Sequence, residues 1–414
     1  MSRYARIKVN DTEEVAKVQY NFDQLIDRRH TNSSKHDNNT VLFGREDVLD
    51  MWVADMDFQA PAPVIEAIKK RAEHPIYGYT FPQASLYDAI VERVDKLYGW
   101  KIKKEWIVFS AGVVNGLFSA VEAFAHPGDE LIVQSPVYYP FFSAIKGRGG
   151  QVIHNQLKEV DGRYEMDFEG LEKLFEVRTS FPVRSPRIKA LILCSPHNPV
   201  GRVWDKEELQ RLADICVKHN CLIFSDEIHC DLLAPGVEHT VTATLSPEIE
   251  QHTITFMSAS KTYNLAGLAT SYVIIPNDAL RERFIAARAG HNSGNVFGYV
   301  ATEAALTQCD DYLEQLRAYL SANFKYFSEF IATRLPQLRV ANLEGTYLAW
   351  VDMRKLGMSP LELQSFLREK ARLALDDGYV FGPGGEGFER FNLACPRPVI
   401  EEALRRLEEA VNGL

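Results

Sequence analysis

The chain has 414 residues, of which 46% are hydrophobic, and its formal net charge is -10. This length exceeds what one hydrophobic core usually covers, so we expect two lobes in a globular protein. The acidic balance argues against nucleic-acid and anionic-membrane partners, and no apolar run is long enough to span a bilayer. Because the first residues, MSRYARIKVNDTEEV, also lack the apolar core of a signal peptide, we expect a cytoplasmic protein.

The N-terminal part is predicted to serve the smaller of the two domains. We expect residues 1–59 to form a segment that joins that domain, with the polar stretch TNSSKHDNN at 31–39 as a loop. The stretch PAPVIEAIKKRAEH follows, and its prolines suit the first turn of a helix. This helix is predicted to lead into the large domain.

The large domain is predicted to span residues 60–297, because short apolar runs alternate there with helical patterns. The runs are WIVF, ELIVQ, QVIHNQL, IKALILC, CLIFS, TITFM and SYVII. One of the helical stretches, DKEELQRLADICVKHN, opens with a capping box formed by Asp205 and Glu208. Strands and helices in alternation predict an α/β domain with a mostly parallel sheet covered by helices on both faces.

The pattern changes after residue 298. A long helical region (ATEAALTQCDDYLEQLRAYLSANFKYFSEFIATRL) is followed by the strand TYLAWVDM, the helix SPLELQSFLREKARL, the strand ERFNLA and the helix PVIEEALRRLEEAVNGL. We therefore predict a smaller α+β domain over residues 298–414.

Four loops follow strand-like runs, and in open α/β sheets ligands bind at the carboxyl ends of the strands. In SAGVVNGL, the small residues Ala111 and Gly112 let N–H groups at a helix start approach an anion, although such a turn also serves packing. In SPVYYPFF, Tyr138 is either a ring that stacks on a planar ligand or a core aromatic residue. In CSPHNPVG, Asn198 is held between two prolines and either points into a site or caps the turn.

Two further residues add charge to this edge of the sheet. Asp226 in SDEIHCDL stands at a strand end, where an apolar surround would make it a strong partner for a buried cation. Lys261 in SASKTYNLAGL follows the run TITFM. It is either a stem that lies along the surface or a buried amine of lowered pKa that attacks carbonyl groups.

A metal site is not expected. The acidic and histidine residues of SDEIHCDL point to opposite faces of an extended chain, and no second cluster has convincing ligand spacing. Those four residues are Asp226, Glu227, His229 and Asp231. The six cysteines form no CxxC pair and are predicted to be reduced, mostly buried thiols: Cys194, Cys216, Cys221, Cys230, Cys309 and Cys395.

One aldehyde cofactor uses all of these parts. Pyridoxal phosphate needs a lysine to form an imine, a carboxylate to keep its ring nitrogen protonated, an anion cradle and a stacking ring. The motifs SASKTYNLAGL, CSPHNPVG, SDEIHCDL and RFNLACPR resemble the class I/II aminotransferase family, which has fold type I of the pyridoxal-phosphate enzymes. More narrowly, MWVADMDF, YGYT, DEIH and NLACPR resemble its cystathionine β-lyase (carbon–sulfur lyase) subgroup, and the likeness runs from about residue 20 to the C-terminus.

The resemblance implies a role for each matching residue. Lys261 matches the Schiff-base lysine and Asp226 the partner of the ring nitrogen. Arg390 matches the arginine that binds the substrate α-carboxylate, although without the family Arg397 is an equal candidate. Tyr79 in YGYT matches the tyrosine lent to the neighbouring subunit's cofactor, which implies a homodimer with composite active sites. The implied cofactor-binding set is Ala111, Gly112, Val113, Tyr138, Asn198, Asp226, His229, Ser258 and Lys261.

The sequence departs from the common aminotransferase pattern at two positions. Aminotransferases commonly have a tyrosine where this chain has His229, and a phosphate-binding arginine where it has Ala269. Both departures fit the lyase subgroup better. The phosphate is then expected to depend on Ser258, on backbone dipoles and on the partner's Tyr79. The segment RAGHNSGNVFG at 288–298 either reaches the neighbouring site or is an ordinary loop.

The resemblance therefore predicts β-elimination from an amino acid that carries sulfur on Cβ, such as L-cystathionine or L-cysteine, to a thiol, pyruvate and ammonia. An amino-acid aminotransferase is the alternative, because both reactions need Lys261 and Asp226 equally. A regulatory protein that binds the cofactor without turnover is a second alternative.

Overall fold

The computed structural model describes residues 19–179, 188–290 and 293–414. Its helices are α1 Asn39–Phe43, α2 Ala62–Ala72, α3 Ala84–Tyr98, α4 Val113–Phe124, α5 Pro140–Lys146, α6 Phe168–Thr179, α7 Lys206–Lys218, α8 Pro247–His252, α9 Asp278–Ala287, α10 Val296–Gln308, α11 Asp310–Arg334, α12 Pro360–Phe366 and α13 Arg397–Asn412. Its strands are β1 Leu49–Asp50, β2 Ile107–Ser110, β3 Glu130–Val133, β4 Gln151–His154, β5 Lys158–Val160, β6 Arg163–Glu165, β7 Ile188–Cys194, β8 Leu222–Asp226, β9 Thr253–Met257, β10 Ser271–Ile274, β11 Arg339–Val340, β12 Leu348–Asp352, β13 Leu373–Ala374, β14 Asp376–Asp377 and β15 Phe388–Asn392.

A seven-stranded sheet with the order β2-β10-β9-β8-β7-β3-β4 forms the centre of the larger lobe. Each of the seven predicted apolar runs supplies one of its strands. Strand β10 is antiparallel to both neighbours, and the remaining neighbouring pairs are parallel. The predicted α/β fold with a mostly parallel sheet is confirmed. Because β2, β3, β7, β8 and β9 run in the same direction, their carboxyl ends meet at one edge of the sheet.

Helices cover both faces of this sheet, which explains why its strands are nearly continuous apolar runs. Buried side chains of α4, α5 and α9 pack on one face, and those of α6 and α7 pack on the other. Helix α7 has the predicted capping box: the Asp205 carboxylate accepts from Glu208 N at 2.8 Å, and the Glu208 carboxylate accepts from Asp205 N at 3.1 Å. The cap lies where the loop after β7 ends and α7 begins, so it fixes the position of the helix start.

The smaller lobe contains an antiparallel sheet with the order β11-β12-β15-β14. Helices α12 and α13 and the C-terminal half of α11 pack around it. Strand β1 pairs in parallel with β13, so the N-terminal segment does contact this lobe. The exact domain limits remain predictions, and residues 1–18 of the proposed N-terminal segment lie outside the described residues.

Three details differ from the sequence prediction. The long helical region is interrupted at Cys309 and starts earlier, with α10, which packs against α2 and α3 of the larger lobe. The predicted limit at residue 298 therefore falls inside α10. The helix predicted over SPLELQSFLREKARL is α-helical only as far as Phe366. A π-helical turn over Leu367–Ala371 follows, and the chain then forms β13, because its backbone there pairs with β1. The loop predicted at 31–39 consists mainly of turns, and its last residue, Asn39, is the first residue of α1.

The six cysteines are free and buried, as predicted. Within residues 19–179, 188–290 and 293–414, the structure contains no helix with the length and apolar character needed to cross a bilayer.

Candidate active site

The carboxyl ends of the parallel strands enclose a cavity of about 790 Å³ that is partly open to solvent. Eight of the residues predicted to bind the cofactor line it, on loops that follow β2, β3, β7, β8 and β9. The lining residues include Ala54, Ala111, Gly112, Val113, Tyr138, Asn198, Asp226, His229, Ser260, Lys261 and Thr270.

Lys261 is a cavity residue and not a surface stem. Its Nζ donates a hydrogen bond of 2.5 Å to the carbonyl oxygen of Ala54. Burial, followed by the positive charge of Arg390, lowers the pKa of Lys261 to about 8, and the carboxylates of Asp55 and Asp226 offset part of this effect. Far more of the amine is therefore uncharged near neutral pH than in an ordinary lysine, as a nucleophile or a base requires.

Residues 50–58, which we call the roof segment, reach the cavity at Ala54, next to Lys261. The Ala54 carbonyl accepts from both Lys261 and the buried Tyr347 hydroxyl, the latter at 2.8 Å. The Trp52 carbonyl accepts from Arg390 Nη2 at 2.8 Å. The backbone of the roof segment thus holds two of the predicted functional side chains.

Ion pairs hold the roof segment in place from its outer side. Asp57 lies 2.6 Å from both Arg28 and the buried Lys35, and Asp55 also lies 2.6 Å from Arg28. His36 Nδ1 is 2.9 Å from an oxygen of Asp50. The cations all come from the N-terminal segment, so that segment fixes the position of the roof segment over the cavity.

Asp226 ends β8 and is 4% exposed. Its Oδ1 accepts from the backbone N–H of Ile228 at 3.1 Å. Burial raises the pKa of Asp226 to about 7, with the Ile228 hydrogen bond and the charge of Lys261 opposing the shift. A cationic group within the cavity would favour the ionised carboxylate, so the site is suited to a protonated ring nitrogen.

The neighbouring acidic residues of this loop point elsewhere. Glu227 lies 2.8 Å from His239 Nε2 and accepts from Ser225 Oγ at 2.8 Å. Asp231 lies 3.2 Å from Arg93, on another buried network. Because these carboxylates do not converge with Asp226, the geometry gives no support to a shared metal site.

His229 supplies an unsatisfied polar atom to the cavity wall. Its Nδ1 is buried and finds no hydrogen-bond partner among the described residues, while its ring packs edge-on against Tyr347 with centroids 5.8 Å apart. Burial and the positive charges of Lys261 and Arg390 hold the pKa of His229 well below its usual range. The ring is therefore neutral at physiological pH, and an orphaned buried nitrogen of this kind is satisfied most simply by a ligand.

The far end of the cavity is suited to an anion. Helix α4 starts there, and its N-cap residue Gly112 has a φ of 95°, a backbone conformation that favours glycine. No described atom lies within 4 Å of the position that a Cβ would take, and glycine has no side chain to cap the helix. The first N–H groups of α4 thus remain available to a phosphate.

Ser260 and Thr270 line the anion end, whereas Ser258 lies behind it. The Ser258 hydroxyl donates to the Thr270 carbonyl at 2.8 Å and accepts from Ser260 N at 3.1 Å. The structure therefore gives Ser258 a supporting place and brings Ser260 to the cavity. Ala269 also lines the cavity, in a left-handed conformation with a φ of 43°.

The two arginine candidates occupy different places. Arg390 is 2% exposed and its Nη1 donates to Asn198 Oδ1 at 3.0 Å, directly behind the cavity wall. Arg397 starts α13, where its Nε donates to Asn323 Oδ1 at 3.0 Å. The geometry favours Arg390 as the carboxylate-binding residue.

Tyr79 lies away from the cavity of its own chain and is fully exposed. The surrounding segment of residues 76–81 has no helix or strand, and it exposes the large apolar side chains Ile76, Tyr77 and Phe81 as well. Among residues 288–298, predicted either to reach a neighbouring site or to form a loop, residues 291–292 lie outside the described residues and α10 begins at Val296.

Residues 46–407 match the family model described as aminotransferase class I and II. The chain belongs to this family. It is 40% identical over 394 residues to cystathionine beta-lyase PatB of Bacillus subtilis, with 95% of this chain and 100% of PatB covered. Two solved structures are also similar: the PLP-bound putative aminotransferase of Clostridium difficile (41% identity, TM-score 0.91, 95% and 100% covered) and cystalysin of Treponema denticola with its pyridoxal 5'-phosphate cofactor (40% identity, TM-score 0.90, 96% and 100% covered).

Several residues that shape this site could not be recognised from the sequence. Ser260 directly precedes Lys261 and Thr270 follows it by nine residues, but nothing in the sequence shows that these hydroxyls, and not that of Ser258, line the cavity. Ala54 belongs to the motif MWVADMDF, which indicated the subgroup without indicating that its backbone accepts from Lys261. Tyr347 gave no signal, since it reaches the Ala54 carbonyl only through the packing of the small sheet, where it directly precedes β12.

Proposed function

We propose that the protein is a pyridoxal-phosphate-dependent carbon–sulfur β-lyase. It converts L-cystathionine, L-cysteine or related S-substituted amino acids to a thiol, pyruvate and ammonia. The observation that carries this proposal is the placement of the Lys261 amine, with its lowered pKa, and the Asp226 carboxyl in one cavity with an uncapped helix start. The chain is 40% identical to a cystathionine beta-lyase over 95% of its length, and this similarity favours β-elimination as the reaction.

The residues present fit pyridoxal phosphate. The start of α4 with Ser260 and Thr270 would hold the phosphate, and Asp226 would pair with the ring nitrogen. His229 Nδ1, which is buried without a partner among the described residues, and the amide of Asn198 would serve the polar edge of the ring. Tyr138 lines the same cavity and would stack on the ring. When bound, the cofactor supplies an aldehyde for the lysine and a protonated ring that withdraws electrons from the substrate.

The side chains of this protein then divide the work of elimination. Arg390 binds the substrate α-carboxylate and thereby orients the Cα–H bond. Lys261, whose pKa is lowered to about 8 so that its amine can act as a base, takes the proton from Cα. The Asp226 carboxylate would hold the proton of a bound cofactor's ring nitrogen, which would favour loss of the Cα proton. The roof segment holds Lys261 through the Ala54 carbonyl and Arg390 through the Trp52 carbonyl, and the thiolate departs from Cβ.

An aminotransferase is the alternative, because the similar Clostridium difficile structure carries that name. The two reactions share every residue assigned above up to loss of the Cα proton. They differ in whether a leaving group departs from Cβ or an oxo acid is consumed.

One assay separates these functions. The purified protein is incubated with L-cystathionine and no oxo acid, while thiol and pyruvate are followed together. Equal amounts of both over many turnovers are expected. Product formation only from L-alanine or L-aspartate with an added oxo acid would show that the protein is an aminotransferase and not a lyase. A cofactor-bound protein that turns over neither would have to be a binding or regulatory protein.

We also propose a homodimer in which Tyr79 reaches the phosphate of the partner subunit. Support comes from the exposed apolar segment around Tyr79, which a lone chain would leave in water. The six free, buried thiols support a cytoplasmic location, since reducing conditions keep cysteines unpaired. Light scattering on the purified protein tests the dimer: the mass of two chains is expected, and the mass of one chain would contradict it.

A further inference from the structure

Arg390 has a second carboxylate partner that the family resemblance does not assign. Asp376 on β14 stands directly opposite Arg390 on β15 in the antiparallel register. Side chains opposite each other in such a pair share one face of the sheet. Both are buried, and Arg390 Nη2 forms an ion pair with Asp376 Oδ2. Among the described residues, Arg390 is the one cation within ion-pair distance of Asp376.

The hydrogen bonds of Arg390 leave little room for a substrate carboxylate. Both N–H groups of Nη2 are taken, one by Asp376 and one by the Trp52 carbonyl at 2.8 Å. Nη1 donates to Asn198 at 3.0 Å, and Nε is buried without a partner among the described residues. A carboxylate binds a guanidinium through two adjacent N–H groups, and each edge that offers such a pair includes Nη2. A substrate carboxylate must therefore displace Asp376 or the Trp52 carbonyl.

We propose that Asp376 is a positioning residue that sets the affinity of Arg390 for amino-acid carboxylates. In the ligand-free protein it holds the guanidinium in place and neutralises its charge. On substrate binding it yields an N–H group of Nη2 to the α-carboxylate. This inference rests on the proposed function, which makes Arg390 the carboxylate-binding residue. Removing the charge of Asp376 should therefore strengthen the binding of carboxylates.

The test uses 3-(methylsulfanyl)propanoate, which has the carboxylate and the sulfur of S-methylcysteine but no amino group to react. Its dissociation constant is measured by calorimetry on the cofactor-loaded protein. Asp376→Asn keeps an acceptor for Arg390 and should bind the probe about tenfold more tightly than the wild type. The corresponding uncharged amide should bind both proteins equally. On L-cystathionine, the variant should show a KM lowered by a similar factor with kcat within about twofold.

Asp377 supplies the matched control. It is the next residue on β14, and its carboxylate lies 3.0 Å from Arg368 and accepts from Gln364. Asp377→Asn removes an equal charge one position away and should leave the affinity for the probe unchanged. Arg390→Gln should abolish probe binding.

Three results would overturn the proposal. Probe binding that is unchanged or weaker in Asp376→Asn, with normal cofactor absorbance and unfolding midpoint, would show that Asp376 does not compete. Equally tight probe binding by Asp377→Asn would show that the effect comes from net charge and not from the contact with Arg390. Unchanged probe binding by Arg390→Gln would show that Arg390 does not bind the carboxylate. Should Asp376→Asn not fold, Asp376→Ser is measured in the same way. Failure of the proposed lyase function would appear separately, as wild-type protein that binds the probe but does not cleave L-cystathionine.

Discussion

The lowered pKa of Lys261 predicts how the cofactor-free protein takes up pyridoxal phosphate. Only the uncharged amine attacks an aldehyde. With a pKa of about 8, about one amine in eleven is uncharged at pH 7, whereas the ordinary value of 10.5 would leave roughly one in 3,000 uncharged. The cavity therefore raises the concentration of reactive amine about 300-fold at pH 7.

The assay follows the visible absorbance after cofactor-free protein is mixed with pyridoxal phosphate, from about pH 6 to about pH 10. The rate of covalent attachment should rise about tenfold per pH unit below pH 8 and level off above it, because deprotonation of Lys261 is then complete. Arg390→Gln removes the positive charge that, together with burial, lowers the pKa of Lys261, so the inflection should move to higher pH. Arg397→Gln removes a charge that lies outside the site and should leave it unchanged. A wild-type rate that still rises tenfold per pH unit near pH 10 would show that the pKa of Lys261 is not lowered.

Three further predictions concern the ring, the dimer and the fold. Asp226→Asn keeps the shape of the side chain but not its charge, so exchange of the Cα hydrogen of L-alanine in deuterated water should slow about a hundredfold or more; an unchanged exchange rate would contradict the pairing with the ring nitrogen. Tyr79→Phe should weaken retention of the cofactor during dialysis without changing the mass of the dimer. Tyr77→Phe is the control, because the Tyr77 hydroxyl donates to the Ala72 carbonyl of its own chain, and this variant should retain the cofactor normally. Asp205→Ala removes the cap of α7 and should lower the free energy of unfolding by about 1 kcal/mol in urea titrations while kcat stays the same; a large loss of activity would argue against a purely structural role.

The sequence specified the sheet well because its strands are buried on both faces. Seven apolar runs of four to seven residues became seven strands of one sheet, and the Asp205–Glu208 capping box marked the start of α7 correctly. These features depend on residues close together in the chain. The break at Cys309 and the π-helical turn before β13 were missed, because they depend on which distant elements the helices pack against.

The candidate site likewise contains residues that local sequence predicted and contacts that depend on distant parts of the chain. Residues that directly follow β-strands were predicted, because parallel strands bring their carboxyl ends together whatever the rest of the chain does. The contact between Lys261 and the Ala54 carbonyl joins positions 207 residues apart, so no local pattern could reveal it. The choice between Ser258 and Ser260 depends on which hydroxyl faces the cavity, and the pair between Arg390 and Asp376 depends on the register of β14 against β15.

The most direct test of the central assignment is to locate the covalently attached cofactor. Borohydride fixes pyridoxal phosphate to the amine that holds it, and mass spectrometry of the digested protein then identifies the modified residue. Modification is expected on the peptide that contains Lys261, with none in Lys261→Ala. A modified lysine elsewhere, or modification that survives in Lys261→Ala, would show that another amine holds the cofactor.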